Sequence, residues 1–243
     1  MIDTKLILVE GIPGAGKTTT TEHLGTYLQQ RGIGCRWYLE EDDPHPIACH
    51  EMKLKDLVEK LPPQWVAFVE QVSQEKIVTI IESCLWQNTA LFMFMDEYPI
   101  DAIVECHQLV WKELESLAPA LIYLYQDDIE KAMNRLYTLR SKSIIEKDLE
   151  ATSHYKWFQT CGLQGIDGWV QFFREWQEVA ERLYCDWPYR KTKINNPHDD
   201  WEQAHQKMYR FLQETKISPV AGGGAVAHPA ARPGRARGRA DGN

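Results

Sequence analysis

Residues Gly11-Ile12-Pro13-Gly14-Ala15-Gly16-Lys17-Thr18 decide the fold of this chain. They spell G-x-x-x-x-G-K-T, the Walker A pattern. Their setting matters as much as their spelling. An apolar run, Leu6-Ile7-Leu8-Val9, comes directly before them, and a helix-like stretch to about Gln30 follows. A strand that ends in a glycine turn and opens into a helix curls backbone N–H groups around a phosphate chain. The positive end of that helix points at the same phosphates. Lys17 is expected to reach the β- and γ-phosphates, and the Thr18 hydroxyl to help hold Mg²⁺. The expected nucleotide-binding residues are Gly11, Pro13, Gly14, Ala15, Gly16, Lys17, Thr18 and Thr19, with ATP and Mg²⁺ as cofactors. A glycine-rich turn without a ligand would not call for Lys and Thr after its last glycine.

Outward from this loop, strands and helices alternate. Lys5–Glu10, Cys35–Leu39, Ala90–Met95, Ala120–Tyr125 and Arg190–Asn195 read as strands. Residues 47–61 read as a short helix closed by Pro62-Pro63. From Gln64 to Leu85, residues such as Trp65, Phe68, Val72, Ile80 and Ile81 recur at mostly helical spacing. Helix is expected again from about Pro99 to Leu117, along a polar stretch holding Arg135, Arg140, Lys142 and Lys147, over 169–184, and from Asp199 to Leu212. This alternation implies an α/β architecture: a five-stranded parallel sheet with helices on both faces. Ligands in such sheets sit outside the carboxyl ends of the strands.

Composition narrows the function. The chain has 243 residues, enough for one medium domain with a lid, and 44% hydrophobic residues, enough for a sizeable core. A net charge of −8 argues against general nucleic-acid binding. No apolar run reaches the ~20 residues of a membrane helix. Six cysteines lie far apart and none forms a C-x-x-C pair, so reduced thiols in a cytoplasmic protein are expected, with no signal peptide. Residues 218–243 are rich in Gly, Ala, Pro and Arg, and their four Arg and one Asp leave −11 on the first 217 residues. Such a segment cannot bury enough surface to order itself, so a disordered tail is expected.

Several of these residues together resemble the P-loop kinases of the thymidylate-kinase and deoxynucleoside-kinase type. They are the loop at 11–18, an apolar stretch ending in Asp96, Asp127 followed by Arg135 and Arg140, and Ile194-Asn195-Asn196 before the last helix. The resemblance covers about residues 4–214. It implies a P-loop NTPase three-layer sandwich over 1–217, with a helical lid at about 128–168 that closes over ATP. Arg135 and Arg140 would then meet the charge on the transferred phosphoryl group. The sequence departs from that family's pattern in two ways. Thymidylate kinases place Asp-Arg-Tyr after the third strand, where the Arg holds the acceptor's phosphate, and the triplet here reads Asp96-Glu97-Tyr98. They also carry an Arg-Glu-Pro-like segment after the second strand, where this chain has Glu40-Glu41-Asp42-Asp43.

The strand ends therefore look acidic: Glu40, Glu41, Asp42, Asp43, Asp96, Glu97, Asp127 and Asp128. Some must serve Mg²⁺, and the rest would favour a neutral or cationic acceptor. An aminoglycoside-like polyhydroxylated compound is the sharpest form of that expectation, and antibiotic modification its biological form. A nucleoside or thymidylate-like nucleotide kinase is the alternative. Asp96, after five apolar residues, has the shape of a Walker B acid and is the expected metal residue beside Thr18. Glu40 or Glu41 is expected to take the acceptor's proton, with Asp96 as fallback. Lys17, Glu40, Glu41, Asp96, Arg135 and Arg140 are thus the expected catalytic residues. Trp65 and Tyr98 are candidates for lining the acceptor pocket. His45, Cys49 and His50 are too few for a metal site. The rival from another class is a P-loop ATPase switch without an acceptor, and the absence of N-K-x-D weakens its GTPase form. Beyond the acceptor, the one macromolecular partner left open is a second copy of the chain.

Overall fold

The computed structural model describes residues 4–47, 54–87, 89–163 and 165–214. The 218–243 tail, Cys49 and His50 lie outside the described residues. In chain order the elements are β1 (Leu6–Gly11), α1 (Lys17–Gln30), β2 (Cys35–Tyr38), α2 (Leu54–Gln74) and β3 (Val78–Glu82). Then come α3 (Ala90–Met95), α4 (Ile100–Leu114), β4 (Ala120–Tyr125), α5 (Ile129–Leu139), α6 (Lys142–Thr152) and α7 (Lys156–Thr160). The chain continues with α8 (Gly165–Asp186), β5 (Arg190–Asn195) and α9 (Trp201–Glu214).

The strands form one parallel sheet in the order β2-β3-β1-β4-β5. β1 lies in the middle because Leu6, Ile7, Leu8 and Val9 have no exposed surface. A run apolar on both faces suits only a strand covered on both faces. From β1 the chain first builds one side of the sheet, β2 and β3, and then crosses to build β4 and β5. The carboxyl end of β1 is therefore the switch point where ligands of such sheets bind, and the glycine-rich loop leaves from it.

The third strand is not where the periodicity places it. It is Val78–Glu82, and Ala90–Met95 is the helix α3. Val78-Thr79-Ile80-Ile81 is a β-branched run, buried at every residue and paired with both β1 and β2 (Leu6↔Thr79, Trp37↔Ile80). Its apolar residues happen to continue the helical spacing of α2, which ends at Gln74. Ala, Leu and Met in Ala90–Met95 are strong helix formers, and chain pairing rather than apolarity decides between the two segments. α2 also runs through Pro62 and Pro63 instead of stopping there. Its apolar face, with Trp65, Phe68 and Val72 buried, holds the helix despite the two missing donors.

The polar stretch after β4 breaks at Arg140, which is extended (ψ 148°), and Ser141 stands at the N-cap of α6. Two helices thus replace the one expected. α7 is fastened to the turn between α3 and α4: Lys156 Nζ lies 3.3 Å from Asp96 Oδ2, and Thr160 Oγ1 donates to Glu97 Oε1 at 2.7 Å.

Candidate active site

The loop after β1 packs closely against α5 and α9. Gly14 and Gly16 have φ of 77° and 94°, a region that side chains avoid. A Cβ on Gly14 would lie 2.5 Å from the Ala132 carbonyl oxygen of α5. A Gly14→Ala variant is therefore expected to lose roughly 2–4 kcal/mol from left-handed strain and overpacking together, read as a lowered Tm. Gly16 occupies the N-cap of α1, where no side chain caps the helix and no acid lies in the first turn. The first N–H groups of α1 thus remain available to an anion. Ala15 is buried, Pro13 is partly buried, and Thr19 is exposed on the first turn of α1.

Lys17 is buried and its Nζ donates to the Ile12 carbonyl at 3.1 Å. Thr18 Oγ1 donates to Glu82 Oε1 at 2.7 Å. Glu82 ends β3 and is 3% exposed, and its Oε2 has no hydrogen-bond partner. Burial pushes its pKa up to about 7, opposed by Lys17 and by the Thr18 and Glu40 hydrogen bonds, and reinforced by the charge of Glu40. Glu82 is thus a buried acid at the end of the strand beside the loop, held by the loop threonine. Asp96 does not end a strand as expected: it follows α3 and pairs with Lys156. The run Val-Thr-Ile-Ile-Glu was the available signal for Glu82, hidden by its accidental helical spacing.

Glu10, the residue before Gly11, was not singled out from sequence. It is 1% exposed, and its Oε1 accepts the N–H groups of Leu85 (2.8 Å) and Trp86 (3.3 Å). Burial pushes its pKa up to about 7 against those bonds and Lys17. Beyond the loop, Gln87 Nε2 donates to Glu40 at 3.1 and 3.4 Å. Glu41 turns the other way, with its Oε1 3.9 Å from Arg140 and most of its side chain exposed. Arg135 reaches the loop: Nη2 donates to Gln126 Oε1 at 2.5 Å and lies 3.5 Å from the Gly14 carbonyl. Arg140 is held instead by Asp148 Oδ2 at 2.7 Å.

The segment between β5 and α9 covers the outer side of the loop. A Cβ on Gly16 would meet Trp201 at 2.7 Å and His198 Nε2 at 3.1 Å. α9 is fixed against α1 by stacked His23 and His205 rings, 3.6 Å apart, and by Tyr27 on Tyr209 at 3.8 Å. No local pattern announces these contacts, because they join opposite ends of the chain.

Most of the expected acidic rim is satisfied locally. Asp42 Oδ2 accepts the Leu39 N–H at 2.8 Å, and Asp128 caps α5 through the Lys131 N–H at 2.9 Å. Asp127 bonds Asn196 through both its backbone N–H and its carboxylate. Asp96 and Glu97 hold α7. Trp65 is fully buried against Phe68, so it is core and not a pocket wall, whereas Tyr98 is exposed on the turn before α4. Among the described residues no group of three or more His, Cys, Asp or Glu is placed to hold a metal unaided, and no helix is long and apolar enough to cross a membrane. The loop amides, Thr18 and Glu82 do fit a metal completed by a phosphate chain: no side chain caps the start of α1, and Glu82 Oε2 lacks a partner.

The sequence matches no family model and no curated protein. Solved structures do match. Thymidylate kinase from Candida albicans is 14% identical with a TM-score of 0.51, over 88% of this chain and 93% of that one. Shikimate kinase from Acinetobacter baumannii, in complex with shikimate, is 16% identical with a TM-score of 0.46, over 89% and 97%. Deoxyadenosine kinase from M. mycoides is 16% identical with a TM-score of 0.43, over 86% and 99%. The chain has the P-loop kinase fold. Within that fold, the glycine-rich loop, Thr18 and Glu82 lie together at the carboxyl edge of the sheet.

Proposed function

We propose that this protein transfers a phosphoryl group from Mg·ATP to a hydroxyl of an unphosphorylated, nucleoside-type small molecule. The observation that carries the reading is the Thr18–Glu82 hydrogen bond at the mouth of the loop, with Lys17 buried beside it. Mg·ATP, when bound, supplies the electrophilic phosphoryl group and the metal's positive charge. The chain's part is to hold and neutralise. Lys17 is the buried cation of the loop, the α1 N–H groups face the anion, and Thr18 with Glu82 would hold the metal. Arg135, already at the Gly14 carbonyl, is the arginine best placed to meet developing charge. Arg140 would serve only after leaving Asp148 and Glu41. Residues 128–168 act as the lid in this reading, and 1–217 form one kinase domain.

Glu40 is the better candidate for the base. It is held by Gln87 and its charge reaches Glu10 and Glu82, whereas Glu41 faces Arg140. Asp96, the fallback, is occupied by Lys156.

The acceptor reading shifts from aminoglycoside to nucleoside for a physical reason. A cationic acceptor was expected from an acidic rim, and Asp42, Asp96, Glu97, Asp127 and Asp128 are each engaged within the protein. A nucleotide acceptor finds no obvious anchor either. β3 ends at Glu82 and Ser83-Cys84 follow it, so Ser83 stands where thymidylate kinases place the phosphate-holding Arg. The residues compared from sequence, Asp96-Glu97-Tyr98, lie on the later turn.

Labelled ATP offered with nucleosides, nucleoside monophosphates and aminoglycosides separates these acceptors. Transfer is expected to nucleosides, and Glu40→Gln is expected to lower kcat about 10²-fold. Transfer to aminoglycosides or monophosphates alone would reject the acceptor class. ATP hydrolysis unaffected by every acceptor would favour the ATPase switch.

A further inference from the structure

The segment from Ser83 to Gln87 joins the two halves of the candidate site. It starts next to Glu82, which holds Thr18 on the nucleotide side, and ends at Gln87, which holds Glu40 on the acceptor side. It belongs to no helix or strand, and Ser83 takes a left-handed φ of 62°. A loop in this position needs an external scaffold to keep one shape.

Two distant elements contribute to that scaffold, beside the Ser83 N–H bond to the Val9 carbonyl and the contact of Cys84 with His45. Glu10, on β1, accepts the N–H groups of both Leu85 and Trp86 with a single oxygen. His107, on α4 and fully buried, brings Nε2 within 2.9 Å of the Leu85 carbonyl. Both backbone groups of Leu85 thus lie against buried side chains, and His107 Nδ1 also lies 2.9 Å from the Ile103 carbonyl of its own helix. Glu10 is also the residue immediately before Gly11, so the rod that carries the phosphate loop carries this clamp as well. A glutamate buried at 1% exposure, away from water, is costly unless its hydrogen bonds matter.

We propose that Glu10 is a positioning residue that sets the Ser83–Gln87 segment, and through Gln87 the orientation of Glu40, relative to the nucleotide loop. The role rests on hydrogen-bond acceptance. Gln keeps an acceptor oxygen at the same reach, Asp is one methylene short, and Ala has none. The proposal uses the kinase reading only for its activity measurements.

Amide hydrogen exchange on the full chain tests the clamp directly. In Glu10→Ala and Glu10→Asp, exchange across 83–87 is expected to rise about tenfold or more, while β4 keeps its wild-type protection. Glu10→Gln is expected to keep the wild-type pattern. Should Glu10→Ala fail to fold, Glu10→Asp, which retains the charge, decides. With thymidine and deoxyadenosine as probes, Ala or Asp is expected to raise the acceptor KM and lower kcat by about tenfold, and Gln to restore both. The KM for ATP is expected to stay within about twofold of wild type. Unchanged exchange at 83–87 in both short variants, or an equal rise in both KM values, would overturn the proposal. If the wild type phosphorylates neither probe, the nucleoside reading fails, and the exchange measurement still decides the role of Glu10.

Discussion

Lys17→Ala is expected to reduce phosphoryl transfer by roughly 10³-fold or more while the protein stays folded. Lys17 is the one cation of the loop, it is buried, and its Nζ makes its hydrogen bond to Ile12 within the loop itself. Nothing of the sheet or helix packing depends on that bond, so the cost of truncation falls on the phosphates and not on the core. Two buried acids feel its charge: Glu10 and Glu82 are both held lower by Lys17 than burial alone would leave them. Removing the lysine should therefore also weaken Mg·ATP binding, since the two acids will hold their protons more tightly. Titration calorimetry with a non-hydrolysable ATP analogue, a melting curve and a transfer assay test the three parts. Activity within tenfold of wild type would show that the loop does not grip a triphosphate.

Glu82→Gln is expected to produce opposite effects on activity and stability. The Gln oxygen can still accept from Thr18, so local geometry is kept, but the charge that would face a metal is gone. Transfer should fall about 10²–10³-fold, with the loss only partly relieved by excess Mg²⁺. Without nucleotide, the same substitution should stabilise the protein above neutral pH. Burial raises the folded-state pKa of Glu82 from 4.5 to about 7. An acid whose pKa is raised by folding costs nothing below its unfolded value, and the cost grows between the two values. It is fully present above the higher one. The wild type should thus lose stability relative to Glu82→Gln as pH rises from about 5 to about 8, by at most about 3 kcal/mol. Paired melting curves across that range measure it. A constant difference, or a variant that keeps wild-type transfer, would remove Glu82 from the site.

Glu82 also shows where reading the chain by pattern stops. A five-residue strand and the end of a helix share apolar content, and Ile77, Ile80 and Ile81 fall on spacings that suit both. Only pairing with β1 on one side and β2 on the other makes Val78–Glu82 the strand. With that strand in place, Glu82 rather than Asp96 ends a buried strand beside the loop, and Ser83-Cys84 rather than Glu97-Tyr98 follow it. The acidic rim failed differently. Its residues lie near strand ends and turns, where short polar side chains bond first to nearby backbone. Asp42 and Asp128 do so within three residues of themselves.

The sequence by itself determined the glycine-rich loop and the alternating parallel-sheet architecture, because each is written in contiguous residues with strong local signals. Left-handed glycines, a buried apolar run and a helix start specify one another over a dozen positions. Tertiary structure alone decided which acid stands by Thr18, that Arg135 rather than Arg140 reaches the loop, and that Glu10 and His107 hold the segment between Glu82 and Gln87. Those pairings join residues far apart in the chain. Their partners are chosen by strand order and helix packing, to which no local spacing is sensitive.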